Sequence, residues 1–206
     1  MTVAPVRIPR NTAAVRIGPG DALIVVDVQK DFLPGGRLAV PGGDEIVPVA
    51  NRYLADARRA RIPVVATRDW HPDEHVSFER RGGPWPVHCI ADTEGATFAA
   101  GLVLPPDALI VSKATREDAD AYSAFDGTDL DARLRRAGVR RLLVGGLATD
   151  YCVLNTVKDA RRLGYEVLLL TDAIRAVNVH PDDGRKAEAE MVRAGAVAVR
   201  HDQLVR

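Results

Sequence analysis

Cys152 closes the segment Gly145-Gly146-Leu147-Ala148-Thr149-Asp150-Tyr151-Cys152, which follows the apolar run Arg141-Leu142-Leu143-Val144. Residues 153–163 then have a helical composition that Gly164 closes. A thiol where a strand turns into a helix meets the positive end of the helix dipole, which favours the thiolate. That is where a cysteine nucleophile belongs, but free cysteine is also commonly inert packing. A nucleophile needs a base and an electrostatic partner. Asp27 follows the apolar residues 23–26 and can take the thiol proton; Lys113 ends another such run and, if buried, can stabilise the thiolate and hold the carboxylate. Taken singly, they read as a turn aspartate and a solvated lysine. Together with Cys152 they make the minimal set for covalent acyl transfer. The glycine pair precedes a helix, yet the chain has neither G-x-G-x-x-G nor G-x-x-x-x-G-K-[ST], which argues against a nucleotide site. A tight turn there can instead aim the amides of Ala148 and Cys152 at an oxyanion.

A second constellation is Asp69-Trp70-His71-Pro72, followed by His75 and His88. An Asp and a His two apart at a strand end can point at one ion, and a third ligand from a distant loop would leave positions open for water or substrate. Three of the five histidines fall between residues 71 and 88, which weakens chance as the explanation. Loop histidines are often only surface residues, so spacing leaves both readings open. Cys89, beside His88, reads as packing, because a thiolate there would close the site. Phe32, Trp85 and Tyr122 lie in loops near the same edge and can line a pocket for a flat ring or serve as ordinary packing.

The elements that must position these groups are short apolar runs at 22–26, 62–67, 108–111, 140–144, 166–170 and 196–199. Such runs suit strands buried on both faces. Helical stretches lie between most of them. Asp44 can cap one with Ile46, Val49, Tyr53, Leu54 and Ala57 on one face, Thr128 can cap another, and 183–193 reads as a third. This alternation predicts an α/β fold: a doubly wound, six-stranded, mainly parallel sheet with helices on both faces. In such sheets ligands bind beyond the carboxyl ends of the strands. Asp27, Asp69 with His71, Lys113 and Cys152 all fall there. The connections 69–105 and 115–127 are too long and polar to be simple links, and long loops often carry function.

The chain has 206 residues, enough for one domain, read here as residues 21–206 behind an N-terminal extension of residues 1–20. The formal net charge is zero, so nothing points to nucleic acid or an anionic membrane. Two cysteines make no disulfide framework, no stretch is long and apolar enough for a membrane span, and the N-terminus has no apolar signal core; a cytoplasmic protein is the default expectation. A homo-oligomer is compatible with all of this.

Asp27-Val28-Gln29-Lys30-Asp31-Phe32, Thr67-Arg68-Asp69-Trp70-His71-Pro72, Gly82-Gly83-Pro84-Trp85-Pro86-Val87-His88-Cys89, Ser112-Lys113-Ala114-Thr115, Tyr122-Ser123-Ala124-Phe125 and Gly146-Leu147-Ala148-Thr149-Asp150-Tyr151-Cys152 resemble the nicotinamidases, among the isochorismatase-like cysteine hydrolases. The resemblance runs from about residue 21 to residue 198. It implies a triad of Asp27, Lys113 and Cys152, and one divalent metal ion (zinc, iron or manganese) held by Asp69, His71 and His88. It implies a cis peptide before Ala148, with His75 as the position of a further ligand found in some relatives. The implied activity is hydrolysis of nicotinamide, and of pyrazinamide, in NAD salvage. Isochorismatase-type hydrolases lack the nucleophilic cysteine and carbamoyl hydrolases lack the Asp-x-His pair, so another small amide is the weaker alternative. A metal-binding or redox-sensing thiol module is the rival of a different class; nothing near Cys152 resembles a resolving cysteine.

Overall fold

Strand β2 (Asp21–Val26) is buried along its whole length, as its unbroken apolar run requires of a central strand. The computed structural model describes residues 14–205. In it β2 lies between β3 (Val64–Asp69) and β5 (Arg141–Leu147), and the sheet runs outward to β4 (Leu109–Lys113) on one side and to β6 (Glu166–Arg175) and β7 (Val197–Val199) on the other. Every pair in this six-stranded sheet is parallel. The expected doubly wound sheet is present, and its connections carry α1 (Ile46–Ala60), α2 (Leu130–Arg136), α3 (Leu154–Arg162) and α4 (Asp183–Arg193).

Successive strand residues face opposite ways, and the core divides accordingly. Leu23, Val25, Leu143 and Leu168 join Tyr53, Leu54 and Ala57 of α1 in one apolar cluster. Ile24, Val26, Val144 and Leu169 join Leu134 of α2, Val157 of α3 and Met191 of α4 in the other. Helices thus cover both faces. Asp44 does not cap α1: it lies in a 3-10 turn, Gly43–Glu45, that leads into the helix. Thr128 does meet its helix, its hydroxyl accepting from the Leu130 amide at 3.3 Å.

The expected boundary at residue 21 moves. Val15–Arg16, here β1, pairs in parallel with β8 (Leu204–Val205) in a small second sheet. Arg141 fixes this region by pairing with Asp21 at 2.8 Å and donating to the Arg16 carbonyl at 2.8 Å. Part of the expected extension therefore packs with the domain; residues 1–13 lie outside the described residues.

Gly146 is the backbone feature on which the site depends. It pairs with Val26 across β5 and β2, has φ 130°, and an added Cβ would stand 2.0 Å from the Val26 carbonyl oxygen. Neither backbone can yield without parting the two central strands. Gly146→Ala is expected to cost about 3 kcal/mol or more, read as a lower urea midpoint. Gly127→Ala, also at positive φ but with nothing within 4 Å, serves as the control and is expected to cost only about 1 kcal/mol.

Candidate active site

The carboxyl ends of β2, β3, β4 and β5 deliver Asp27, Asp69, Lys113 and the Cys152 turn to one place. Asp27 leaves β2 with φ 47°, a left-handed conformation that costs a non-glycine residue about 1 kcal/mol or more. It is held there by its amide, which donates to the Thr67 carbonyl at 3.2 Å, and by its Oδ1, which accepts from the Thr67 hydroxyl at 2.6 Å. The other carboxylate oxygen lies 3.0 Å from Lys113 Nζ. Lys113 is 1% exposed, ion-paired with Asp69 as well, 3.4 Å from Cys152 Sγ and 3.3 Å from the Ala121 carbonyl.

Burial pushes the Asp27 carboxyl up to about 6, with Lys113 pulling against it. Burial also opposes the Lys113 charge, but Asp27 and Asp69 outweigh it and hold its pKa well above the ordinary value. The Cys152 thiol is driven well above its ordinary range by burial, with Lys113 opposing and Asp27 and Asp69 adding to the rise. This direction runs against the expectation of a stabilised thiolate: burial, more than the neighbouring charges, holds the proton on the sulfur.

β5 ends in a cis peptide between Leu147 and Ala148, as the resemblance implied. The chain then forms a π-helical turn, Thr149–Val153, ahead of α3. The Ala148 carbonyl accepts from the Tyr151 and Val153 amides, both at 3.1 Å, fixing the turn that carries the thiol.

Asp69, His71 and His88, all buried, bring their ligand atoms within 4.8 Å of one another. The His71 Nδ1 lies 3.2 Å from the Ala114 carbonyl and the His88 Nδ1 lies 2.8 Å from the Pro86 carbonyl. Each carbonyl takes a proton on Nδ1 and leaves the Nε2 lone pair free, the arrangement metal-bound histidines use. The His71 Nε2 is buried with no hydrogen-bond partner, 3.8 Å from the nearer Asp69 oxygen. An orphaned imidazole nitrogen beside a carboxylate is costly unless something occupies the space between them. Burial lowers the pKa of His88 and drops that of His71 to about 4, keeping both rings neutral as ligands must be. For Asp69, burial acts upward, but Lys113 and then His71 hold its carboxyl below the ordinary range. The donor set fits a divalent ion. His75 does not join it: its Nδ1 meets the Ser77 hydroxyl at 2.7 Å and its Nε2 the Ala119 carbonyl at 3.2 Å, while its ring packs on His71. Cys89 is wholly buried in the apolar cluster of the α1 face.

A cleft of about 440 Å³, counted to its open mouth, lies between the metal ligands and Cys152. Phe32, Trp85 and Tyr122 all line it, as do Leu38, Asp120, Tyr151 and Val177, which sequence reasoning did not single out. The Trp85 indole donates to the Tyr122 hydroxyl at 2.9 Å and meets Tyr151 edge-on. Phe32 stands against His88 with ring centroids 5.6 Å apart.

Two further polar residues set the geometry. Gln29 is buried and brackets Asp69: its amide nitrogen donates to the Asp69 carbonyl at 2.8 Å, and its oxygen accepts from the Asp69 amide at 2.8 Å. Asp31 accepts from the Cys89 amide at 2.7 Å and so fixes the backbone beside His88. A Cβ on Gly95 would stand 2.2 Å from that carboxylate. Their only signal in the sequence is their place in the Asp27-Val28-Gln29-Lys30-Asp31-Phe32 segment.

Residues 21–203 match the isochorismatase domain. The chain belongs to the isochorismatase family. This family member is 41% identical over 199 residues to the nicotinamidase of Escherichia coli, covering 86% of this chain and 93% of the relative. Among solved structures, the pyrazinamidase of Pyrococcus horikoshii in complex with zinc superimposes with a TM-score of 0.85 at 50% identity, covering 88% of this chain and 99% of that one. An L. infantum protein in complex with nicotinate also gives a TM-score of 0.85, at 38% identity, covering 94% and 98%. The isochorismatase-family sheet seen here is thus shared with proteins that hold zinc and a pyridine carboxylate. No helix among the described residues is long and apolar enough to cross a membrane.

Proposed function

We propose that the chain is a metal-dependent cysteine amidohydrolase that converts nicotinamide to nicotinate and ammonia, and that it accepts pyrazinamide. The observation that carries this reading is one cleft that joins a three-residue metal site to a thiol backed by a base and a buried cation. Asp69, His71 and His88 would hold a divalent ion, which supplies a Lewis-acid contact for a ring nitrogen and anchors the substrate. Phe32, Trp85 and Tyr122 then provide aromatic walls for a flat ring.

Asp27 takes the proton of Cys152, and the sulfur attacks the carboxamide carbon. The amides of Ala148 and Cys152 receive the oxyanion. Lys113 stays charged throughout and offsets the negative charge that passes between Asp27, the sulfur and the intermediate. Asp27 returns the proton to the amide nitrogen; the C–N bond breaks, ammonia leaves and a thioester remains. Asp27 then takes a proton from water, whose oxygen attacks the thioester carbon. The C–S bond breaks, Asp27 passes its proton to the departing sulfur to restore the thiol, and nicotinate leaves with its acid proton lost to solvent. Because burial opposes the thiolate, attack needs a base: Asp27 must be ionised first, which its value of about 6 permits at neutral pH.

The test is ammonia release from nicotinamide by purified protein, with its metal content measured alongside. About one divalent ion per chain is expected, with activity lost on chelation and restored by re-addition. His71→Ala is expected to lower both bound metal and activity by about tenfold or more. Unchanged ammonia release after verified metal removal would refute the metal's part.

A further inference from the structure

Asp150 lies two residues before Cys152 in the π-helical turn, and both of its carboxylate oxygens bind a different segment. One accepts from the Val177 amide at 2.9 Å and the other from the Asn178 amide at 2.8 Å. Two successive amides converging on a carboxylate form an anion nest, here filled by a side chain. Asn178 adopts the left-handed φ of 54° at this bend. The far end of the segment is tied as well: the Asn178 side-chain oxygen accepts from the Gly184 amide at 2.8 Å, and Asp183 accepts from the His180 amide at 2.7 Å. Gly184 sits so close that an added Cβ would stand 2.5 Å from that of Ala176. The segment leaves β6 at Arg175, which pairs with Leu147 beside the cis peptide. Val177 then enters the cleft wall and packs against the cluster that holds Phe32 and Ala148.

We propose that Asp150 is a positioning residue that ties Val177 to the nucleophile's own turn, and that Val177 thereby sets which ring substituents the cleft admits. The proposal rests on the pyridine-carboxamide reading above. A carboxylate suits the task because it offers two acceptors with no donor; an asparagine of the same shape would turn an NH₂ group toward one of the amides. Anchoring the wall to the turn that carries Cys152 keeps wall and sulfur in one rigid body, so a substituent that meets Val177 cannot push it aside and holds the carboxamide carbon away from the sulfur.

The test compares kcat and KM for nicotinamide and 5-methylnicotinamide in the wild type, D150N, V177A and the double variant. The rate of Cys152 alkylation is read in parallel by site-resolved mass spectrometry. Val177→Ala should raise the kcat/KM ratio of the methylated over the parent amide about tenfold. Asp150→Asn should raise KM for nicotinamide about fivefold and move the same ratio in the same direction, without changing the alkylation rate. The double variant should move the ratio no further than Val177→Ala does. Val177→Ala keeps both Asp150 hydrogen bonds and reads the wall even if Asp150→Asn fails to fold. An unmoved ratio in folded Val177→Ala, or an Asp150→Asn effect that appears equally in alkylation, overturns the proposal. A wild type that releases ammonia from neither amide overturns the parent reading and this one with it.

Discussion

Cys152→Ala is expected to lower ammonia release from nicotinamide by about four orders of magnitude or more while the protein stays folded. The sulfur is the nucleophile of the proposed route, and neither Asp27 nor Lys113 can replace it. The structural cost is small. The residue is 6% exposed and the change removes one atom from a packed site, a loss of about 1 kcal/mol. A urea titration beside the ammonia assay separates the two effects. The metal ligands remain in this variant, so bound metal should stay at the wild-type level. Full activity with Cys152 absent would end the thioester route.

How much of this was legible in the chain differs by element. The strands announced themselves because both faces of a central parallel strand are buried, so residues 22–26 or 142–144 are apolar without alternation. Once strands are placed, the carboxyl-end rule brings Asp27, Asp69, Lys113 and Cys152 to one edge. What the sequence did not carry is what those ends do to each other. Gln29 and Asp31 act through hydrogen bonds to backbone groups 40 and 58 residues away, and such bonds leave no periodicity to read. The same is true of one bond of His75, to the Ala119 carbonyl 44 residues away, while its other nitrogen meets the nearby Ser77 hydroxyl. Cys152 differs for a related reason. A strand-to-helix turn argues for a thiolate, but the burial that opposes it and the carboxylates that add to that effect come from the packing of distant strands. β3 lies between β4 and β2, which brings Asp69 and Asp27 within reach of one lysine. β6 runs past its apolar stretch to Arg175 and carries Val177 toward the cleft, which hydropathy alone does not show.

Lys113→Met should cost both activity and stability, and the second loss says more about the site. The ammonium pairs with two carboxylates whose oxygens lie within 4.8 Å of each other and of the Cys152 sulfur. Methionine fills much of the space but leaves Asp27 and Asp69 buried without their shared partner. Removing one member of a buried ionic group costs about 3–5 kcal/mol, since the charges left behind have lost their compensation. The loss should be read by urea unfolding in the presence of a chelator, because a divalent ion at Asp69 would itself offset part of the repulsion. Activity should fall about a thousandfold or more, with no cation left to balance the developing charge. Asp27→Asn in the same chain should then recover much of the stability, because it removes one of the two stranded carboxylates, and none of the activity, because it removes the base. The cycle is expected to be strongly non-additive, by about 2 kcal/mol. Additive losses would mean that Lys113 is not the common partner of the two acids. A single Lys113→Met chain as stable as the wild type would mean that one carboxylate takes up a proton at little cost when the ammonium is gone, and the fixed positive charge assigned to Lys113 would have to be abandoned.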